Sequence, residues 1–497
     1  MPDFGKTFIV INVEKKLLRI MKNQSLFLIF TPIDHLYKDA DTHYAPSLGL
    51  VALKNFLARA LPTLNVVILD GSVCYTTEDI VQIISSNRPD YVGQSIQLIS
   101  YKNNLKIAAA AKAVGAKTIV GGHQATQMRK EIAINQENLI DFVVFGDGEM
   151  ALCDLIRRRD LREISNLAYC RNGVYIENSF QNIPFSEIPA TDYSDIDLAP
   201  YQTLLRSSRF NTSFSDTYLR VYSHKGCGNR GGSEACVFCG RADVNVRFKT
   251  PGQYWMDIKN VVERNGADYI FDVGDDFIAS RHWLEKVVAL KPDISTSYDM
   301  GIFGRANRVT EDKARLLKSL NVKDVVIGFE TGDPDIMANI GKKRTTVTTS
   351  VQAAEYLFQN DIDVCASFVL GLPGESERSL ESTIEVAGRI VELSLELRGV
   401  KPRELVANLL EPSPGSPAFR AIVERFPEKY KGRDVLDLQE LQYDYFRVYF
   451  DITNVAQYDA FRNRLRTAAN TIHSLVDFAD SQGWLHGEVN AVMEHSL

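Results

Sequence analysis

The sequence predicts an α/β protein made of two successive strand–helix units and a mostly helical C-terminal region. Three observations carry this. Apolar runs of strand length alternate with segments whose apolar residues recur at helical spacing, from Ser25 to about Arg158 and again from Tyr218. A stretch rich in Pro, Asp and Ser, IPFSEIPATDYSDIDLAPY, interrupts the alternation. After about residue 418 helical periodicity takes over. Strands that alternate with helices imply a parallel sheet with helices on both faces.

Taken in order, residues 1–25 form an N-terminal extension and residues 26–158 the first unit. In it SLFLIF, NVVILD, YVGQSIQL, TIVGG and FVVFG read as strands. LGLVALKNFLARAL, EDIVQIISS, NLKIAAAAKAVG and GEMALCDLIRR read as the intervening helices. Sheets of this kind bind ligands at the carboxyl ends of their strands, where Gly93, Gly121–Gly122 and Gly146–Gly148 mark the turns. Residues 159–212 read as a linker with isolated strands in NLAYCRNGVYIEN. The second unit, residues 213–420, has strands in LRVYSH, GADYIFDVG, STSYDMGIFG, VKDVVIGFE and VCASFVLGLPG, the pattern of a barrel or partial barrel. Residues 421–497 are the helical region, with the amphipathic segment RLRTAANTIHSLVDFAD.

The 497 residues suggest two to four domains. A hydrophobic content of 45% with 24% charged residues supports sizeable cores. A net charge of -7 gives the whole molecule no general attraction to nucleic acid, so no nucleic-acid partner is expected. No apolar run is long enough to span a bilayer, and MPDFGKTFIVINVEKKLLRI is a poor signal peptide. A cytoplasmic protein with no membrane partner is the expectation. Seven cysteines do not make a disulfide scaffold. Cys74, Cys153, Cys170 and Cys365 each stand alone in apolar contexts and are expected as buried small hydrophobes.

Cys227, Cys236 and Cys239 cluster directly after a predicted strand, eight residues separating the first two and two the last pair. Three thiolates can hold three irons of a [4Fe–4S] cluster and leave the fourth iron open. The same cysteines with His224 can instead supply four ligands to a structural zinc ion. On the cysteines alone both readings stand.

The surroundings resemble the radical S-adenosylmethionine (SAM) superfamily. The carriers are C-x-Φ-C with Phe238 as its aromatic residue, GADYIFDVGDDFIASRHWLEKV, NVKDVVIGFETGDPDIMANIGKKRT, DVCASFVLGLPGES and NLLEPSPGSPAF, over roughly residues 218–420. The resemblance implies a partial (β/α)6 TIM-type barrel with Cys227, Cys236 and Cys239 as cluster ligands. Phe238 then lies against the SAM adenine, Asp275 and Asp276 lie near its amino group, and Glu330 binds its ribose. Arg305 is a candidate for the SAM carboxylate, and Gly371 ends the fifth-strand segment in a turn. The usual gap between the first two cysteines of that superfamily is three residues. The extra length here, within GNRGGSEA, is glycine-rich and can loop out.

Residues 26–158 resemble the Rossmann-like, doubly wound B12-binding domain that precedes many radical SAM domains. The segments are YAPSLGLVALKNFLARA, PDYVGQSIQLIS, TIVGGHQAT and DFVVFGDGEMALCDLI. The resemblance places Ser95, Gly121, Gly122, Ala125, Gly146, Gly148 and Glu149 around cobalamin. The D-x-H-x-x-G pattern that supplies a cobalt-ligating histidine elsewhere is absent. His35, His43 and His123 are read as ordinary polar side chains, so cobalamin is expected base-off.

Together the resemblances imply cofactors SAM, a [4Fe–4S] cluster and cobalamin, and reductive cleavage of SAM to a 5′-deoxyadenosyl radical. The implied outcome is methylation of an unactivated carbon or phosphorus of a small-molecule or natural-product substrate through methylcobalamin. An external electron donor of flavodoxin or ferredoxin type is implied as well. Rearrangement, ring contraction or cyclisation without methyl transfer is the alternative within enzymes, and a zinc-stabilised binding protein the alternative outside them. A tRNA methylthiotransferase is disfavoured, because Cys74, Cys153 and Cys170 are too widely spread for a second cysteine trio. Arg305 and Arg308 follow the third strand, where an arginine can meet the SAM carboxylate bidentately, with a solvated surface arginine as the other reading, and the GKKRT segment reads as a solvated loop rather than a phosphate site. Tyr443, Tyr445, Phe446, Tyr449 and Phe450 are read mainly as helical core.

Overall fold

The computed structural model describes residues 24–33, 44–207, 216–230, 235–243 and 245–476. The chain divides into two compact units, the first including Gly49–Pro189 and the second everything from Ala190.

The first unit is built on a seven-stranded sheet. Its strands are β1 (Ser25–Phe30), β2 (Asn65–Asp70), β3 (Tyr91–Ser95), β4 (Lys117–Gly121), β5 (Phe142–Val144), β6 (Leu167–Arg171) and β7 (Val174–Glu177), in the order β2-β1-β3-β4-β5-β6-β7. The first five are parallel. Strand β1 shows why the sequence reads as a continuous apolar run. Leu26, Leu28 and Phe30 pack with Leu57 and Leu152. Phe27 and Ile29 pack with Ile80, Ile84 and Ile107 in a second core cluster. Both faces of a parallel sheet are covered, so alternate residues are apolar on both. The strand order reverses between β1 and β3, the kind of crevice in which open α/β sheets bind ligands.

Two readings of this region change. The strand in YVGQSIQL ends at Ser95 and a 3-10 turn covers Leu98–Ser100. The isolated strands of the linker are β6 and β7, which join the sheet as an antiparallel edge, with Val143 opposite Ala168 and Cys170 opposite Tyr175. Asn172 and Gly173, both at positive φ, make the two-residue turn between them, as Asn-Gly commonly does in hairpins.

The second unit holds β8 (Tyr218–Val221), a short antiparallel pair β9 (His224–Lys225) and β10 (Arg247–Phe248), then β11 (Tyr269–Asp272), β12 (Asp299–Gly304), β13 (Val322–Glu330), β14 (Asp363–Leu370) and β15 (Leu405–Leu409). Six of these form one parallel sheet in chain order, β8-β11-β12-β13-β14-β15, with no pairing of β8 to β15. This is the ordering of a partial barrel. One face of each strand is buried apolar, as with Leu219, Val221, Ile270, Ile302, Val325, Ile327 and Val364. Near the amino ends of the strands the inner face is polar and aromatic. A cavity of about 230 Å³ there is lined by Tyr218, Arg220, Tyr269, Asp324, Cys365 and Arg403 among others.

The helical region contains Leu438–Tyr449 and Val455–Ser474. Tyr445 and Phe446 are fully buried, and Phe450 lies 4.6 Å from Phe461 between ring centroids, so this aromatic group packs as core. Of the lone cysteines Cys153 is buried, whereas Cys74, Cys170 and Cys365 are only partly covered. Cys170 sits on the paired but peripheral β6, and Cys365 faces the cavity with its Sγ 3.8 Å from Glu404 Oε2.

Candidate active site

Strand β8 ends at Val221, and the ladder of β9 with β10 sets the start of the cysteine loop at the carboxyl edge of the sheet. Gly226 turns the chain at positive φ into Cys227, which is buried. Cys236 and Cys239 are half-buried and share a tight turn, Cys239 N–H donating to Cys236 O at 2.9 Å. Between them Val237 N–H donates to Ile340 O, and Ala418 N–H donates to Val237 O, both at 3.0 Å. The loop is thereby tied to the segments that follow β13 and β15. Two glycines allow the closeness. A Cβ on Gly240 would lie 2.7 Å from Pro414 O, and one on Gly341, at φ +75°, would lie 2.7 Å from Ala235 O. Half-buried Phe238 stands in the same turn.

The thiols carry hydrogen-bond donors. Asn229 Nδ2 lies 3.2 Å from Cys236 Sγ, and Arg230 Nε lies 3.3 Å from Cys239 Sγ. Burial pushes the Cys236 thiol up to about 11. Among the described residues no three His, Cys, Asp or Glu side chains converge on a single metal ion. Three thiols on one loop are the donor set that a [4Fe–4S] cluster with one open iron takes.

His224 is not placed as a fourth metal ligand, because both ring nitrogens are engaged. Nε2 accepts the Asp276 N–H at 3.1 Å, which fixes the proton on Nδ1, 2.8 Å from Ser223 Oγ. Ser223 Oγ in turn donates to Asp272 Oδ1 at 3.0 Å. Burial holds the imidazole down at about 4 and lifts Asp272 to about 6. The chain Asp272–Ser223–His224 therefore braces the backbone of the loop after β11.

That loop presents the two expected carboxylates differently. Asp275 is bound by two guanidinium groups, Arg230 Nη1 at 3.0 Å and Arg241 Nη1 at 2.8 Å. Asp276 is buried, accepts the Arg305 N–H at 3.4 Å, and is lifted by burial to about 6. Arg308 lies 3.9 Å from Asp276, and Arg305 Nη2 donates to Lys343 O at 3.1 Å. Glu330 closes β13 at φ +61°, a left-handed conformation that a non-glycine residue adopts at a cost. It is buried and pairs with Lys342 Nζ at 2.5 Å. The GKKRT segment is thus not simply solvated: Lys342 and Thr345 are buried. Gly371, at φ +85°, gives its N–H to Glu375 and accepts from Tyr445 Oη at 2.8 Å. Burial lifts Glu375 to about 7.

In the first unit the expected cobalamin contacts gather at the carboxyl ends of β3, β4 and β5. Ser95 ends β3 and Gly121 ends β4. Gly122, exposed at φ +97°, would place a Cβ 3.1 Å from Ser95 Oγ and 3.5 Å from Ile96 O. Ala125 is buried on the following turn, Gly146 is exposed at φ +66°, and Gly148 caps the helix that begins at buried Glu149. Bare, exposed backbone of this kind suits close approach of a large flat ligand. Thr126, which sequence reasoning missed, stitches two of the turns, its Oγ1 donating to Gly122 O at 2.9 Å and accepting the Gly146 N–H at 3.1 Å. Asn104, also missed, joins Thr31, Gln94 and Ser95 beneath the same edge. His123 is exposed on this edge, while His35 and His43 lie outside the described residues.

Among the described residues no helix is long and apolar enough to cross a membrane. The family profile of the Radical SAM superfamily matches residues 221–387, and that of the B12 binding domain matches residues 39–156. The chain is 25% identical over 391 residues to an uncharacterized methyltransferase, PH0819, of Pyrococcus horikoshii, covering 74% of this chain and 79% of that one. It is 22% identical over 339 residues to the anaerobic magnesium-protoporphyrin IX monomethyl ester cyclase of Cereibacter sphaeroides, covering 64% of this chain and 52% of the cyclase. It is 21% identical over 345 residues to the bacteriochlorophyllide d C-12(1)-methyltransferase of Chlorobaculum tepidum, covering 68% and 66%. Among solved structures the fold is similar to the cobalamin-dependent SAM radical enzyme OxsB with aqua-cobalamin bound, at TM-score 0.64 and 14% identity, covering 93% of this chain and 73% of that chain. It is also similar to the radical SAM methyltransferase TsrM of Kitasatospora setae with cobalamin and a [4Fe–4S] cluster bound, at TM-score 0.61 and 15% identity, covering 81% and 78%. With the two family matches taking up more than half of the sequence in the order the fold presents them, the chain belongs to the radical SAM enzymes that carry a B12-binding domain, a family whose cofactors are SAM, a [4Fe–4S] cluster and cobalamin.

Proposed function

We propose that this enzyme is a methylase that places a methyl group on an unactivated carbon, or on phosphorus, of a small-molecule substrate. The observation that carries the reading is the conjunction of a three-cysteine loop at the carboxyl edge of a parallel (β/α)6 sheet with glycine turns at the carboxyl edge of a separate α/β unit. Similarity to two methyltransferases supports methyl transfer as the outcome.

In this reading Cys227, Cys236 and Cys239 hold the cluster, and Ser95, Gly121, Gly122, Ala125, Gly146, Gly148 and Glu149 cradle cobalamin. When bound, the cluster supplies the electron that cleaves SAM reductively and cobalamin carries the methyl group. The chain's own groups bind and orient. Phe238 offers a ring face to the adenine and Glu330 a carboxylate to the ribose hydroxyls. Glu330 is preorganised by Lys342 and by the bulge between Gly328 and Glu330 in the β13–β14 pairing. Asp276, Arg305 and the Gly371 turn border the amino acid end of SAM. The buried Asp272–Ser223–His224 chain keeps the Asp275–Asp276 backbone fixed while SAM exchanges. We place the enzyme in the cytoplasm with an electron donor of flavodoxin or ferredoxin type.

The test is anaerobic reconstitution of the full chain with iron, sulfide, hydroxocobalamin, reductant and methyl-deuterated SAM, followed by mass spectrometry. A methylase consumes two SAM molecules by different routes, so S-adenosylhomocysteine and 5′-deoxyadenosine appear in about equal amounts during turnover, and label enters the product. Similarity to the cyclase keeps a second reading, rearrangement or cyclisation without methyl transfer. Unlabelled product formed with 5′-deoxyadenosine alone selects that reading over methylation.

A further inference from the structure

The gap between Cys227 and Cys236 is longer than the family's usual three residues, and the two residues that follow Cys227 and Gly228 in it do more than extend a loop. Asn229 is 8% exposed, and its Nδ2 is held between Gly341 O, at 2.8 Å, and Cys236 Sγ, at 3.2 Å. The Arg230 side chain is also 8% exposed, with Nε 3.3 Å from Cys239 Sγ. Its guanidinium is aimed by carboxylates on two sides, Nη1 lying 3.0 Å from Asp243 Oδ2 and 3.0 Å from Asp275 Oδ2. Arg241 closes the network, 2.8 Å from Asp275 Oδ1. Two of the three cysteine sulfurs thus each receive one buried N–H, both from this gap.

We propose that Asn229 and Arg230 are positioning residues that set the reduction potential of the cluster through N–H···S bonds to Cys236 and Cys239. This rests on the reading of the three cysteines as cluster ligands. Reduction adds an electron that spreads onto the thiolate sulfurs, so a donor aimed at a sulfur favours the reduced state and raises the potential. Both donors are buried, where water screens little of the effect. Asp243 and Asp275 have the part of holding the guanidinium so that Nε, rather than a terminal nitrogen, meets the sulfur. Asp275 then serves the cluster's surroundings more directly than the SAM amino group.

The experiment is an EPR-monitored redox titration of the reconstituted full-length enzyme without SAM, with iron and sulfide measured on every sample. Asn229→Leu removes a donor without changing charge, and its midpoint falls by the equivalent of about threefold or more in the electron-transfer equilibrium. Arg230→Gln removes a donor and a positive charge, and falls by about tenfold or more, ~59 mV for a one-electron couple. Arg230→Lys keeps the charge without the planar fork and lies between wild type and Arg230→Gln. Four-iron Asn229→Leu and Arg230→Gln enzymes that titrate at the wild-type midpoint overturn the inference. Should Arg230→Gln fail to hold four irons, Asn229→Leu and Arg230→Lys decide it by the same criterion. A wild-type chain that never assembles a four-iron cluster refutes the ligand reading instead, a result distinct from a shiftless titration.

Discussion

Replacing Glu375 by Gln is expected to remove a pH-dependent weakness from the second unit. The carboxyl is 6% exposed and faces the amide donors of Gly371 and Leu372, which do not offset its desolvation, so it sits at about 7 instead of the ordinary 4.5. The folded state therefore holds the proton more tightly than the unfolded chain. Stability from this group is fully present below about 4.5 and is lost as pH rises through about 7. At 1.36 kcal/mol for each tenfold difference in proton affinity, the loss from pH 4 to pH 8 is on the order of 3 kcal/mol. Gln keeps an acceptor for the Gly371 N–H and carries no charge at any pH. Urea unfolding of both proteins between pH 4.5 and 8, followed by the fluorescence of Trp255 and Trp283 in the second unit, measures this directly. The stability curve of the Glu375→Gln variant is expected to lie above wild type at pH 8 by up to that amount and to meet it near pH 4.5. Two curves that run parallel across the whole range refute the reasoning.

Other outcomes follow from the same geometry. Lys342→Met strands the buried Glu330 carboxylate and is expected to cost about 3–5 kcal/mol of stability, much of it recovered in the double variant with Glu330→Gln; thermal unfolding of the three variants measures it. Cys227→Ala, Cys236→Ala and Cys239→Ala are each expected to abolish the visible absorbance of the reconstituted cluster, while Cys365→Ala keeps it, since its thiol lies on the cavity at the amino ends of the strands. Gly122→Leu forces a side chain into a position of φ +97° beside Ser95; the folded variant is expected to lose cobalamin on desalting where wild type retains it with a base-off spectrum.

How much of this was legible in the sequence follows from the range of the interactions involved. Local patterns carried both sheets: continuous apolar runs for strands buried on two faces, such as SLFLIF, and helical periodicity between them. The cysteine trio was legible because all three stand within thirteen residues of one another, directly after a strand. The strands in NLAYCRNGVYIEN were legible as isolated strands, yet their pairing as β6 and β7 with β5 depends on an edge that only the folded sheet offers. Cys170 and Cys365 looked apolar from their neighbours, but Cys170 stands near the end of β6, where cover falls away, and alternation along β14 puts Cys365 on its less covered face.

The amino-acid sequence by itself determined the order of the two α/β units, the three clustered thiols and the glycine turns, because each depends on residue type and short spacing. Tertiary structure decided which charges face one another. Lys342 meets Glu330 by folding back past the end of β13. Asp275, 45 residues after Arg230, turns that arginine toward Cys239. His224 gave the same signal as a metal ligand until Ser223 and the Asp276 amide took both of its nitrogens. Partners such as these are set by the packing of whole strands, and burial then fixes how strongly each pair acts, which no spacing in the sequence encodes.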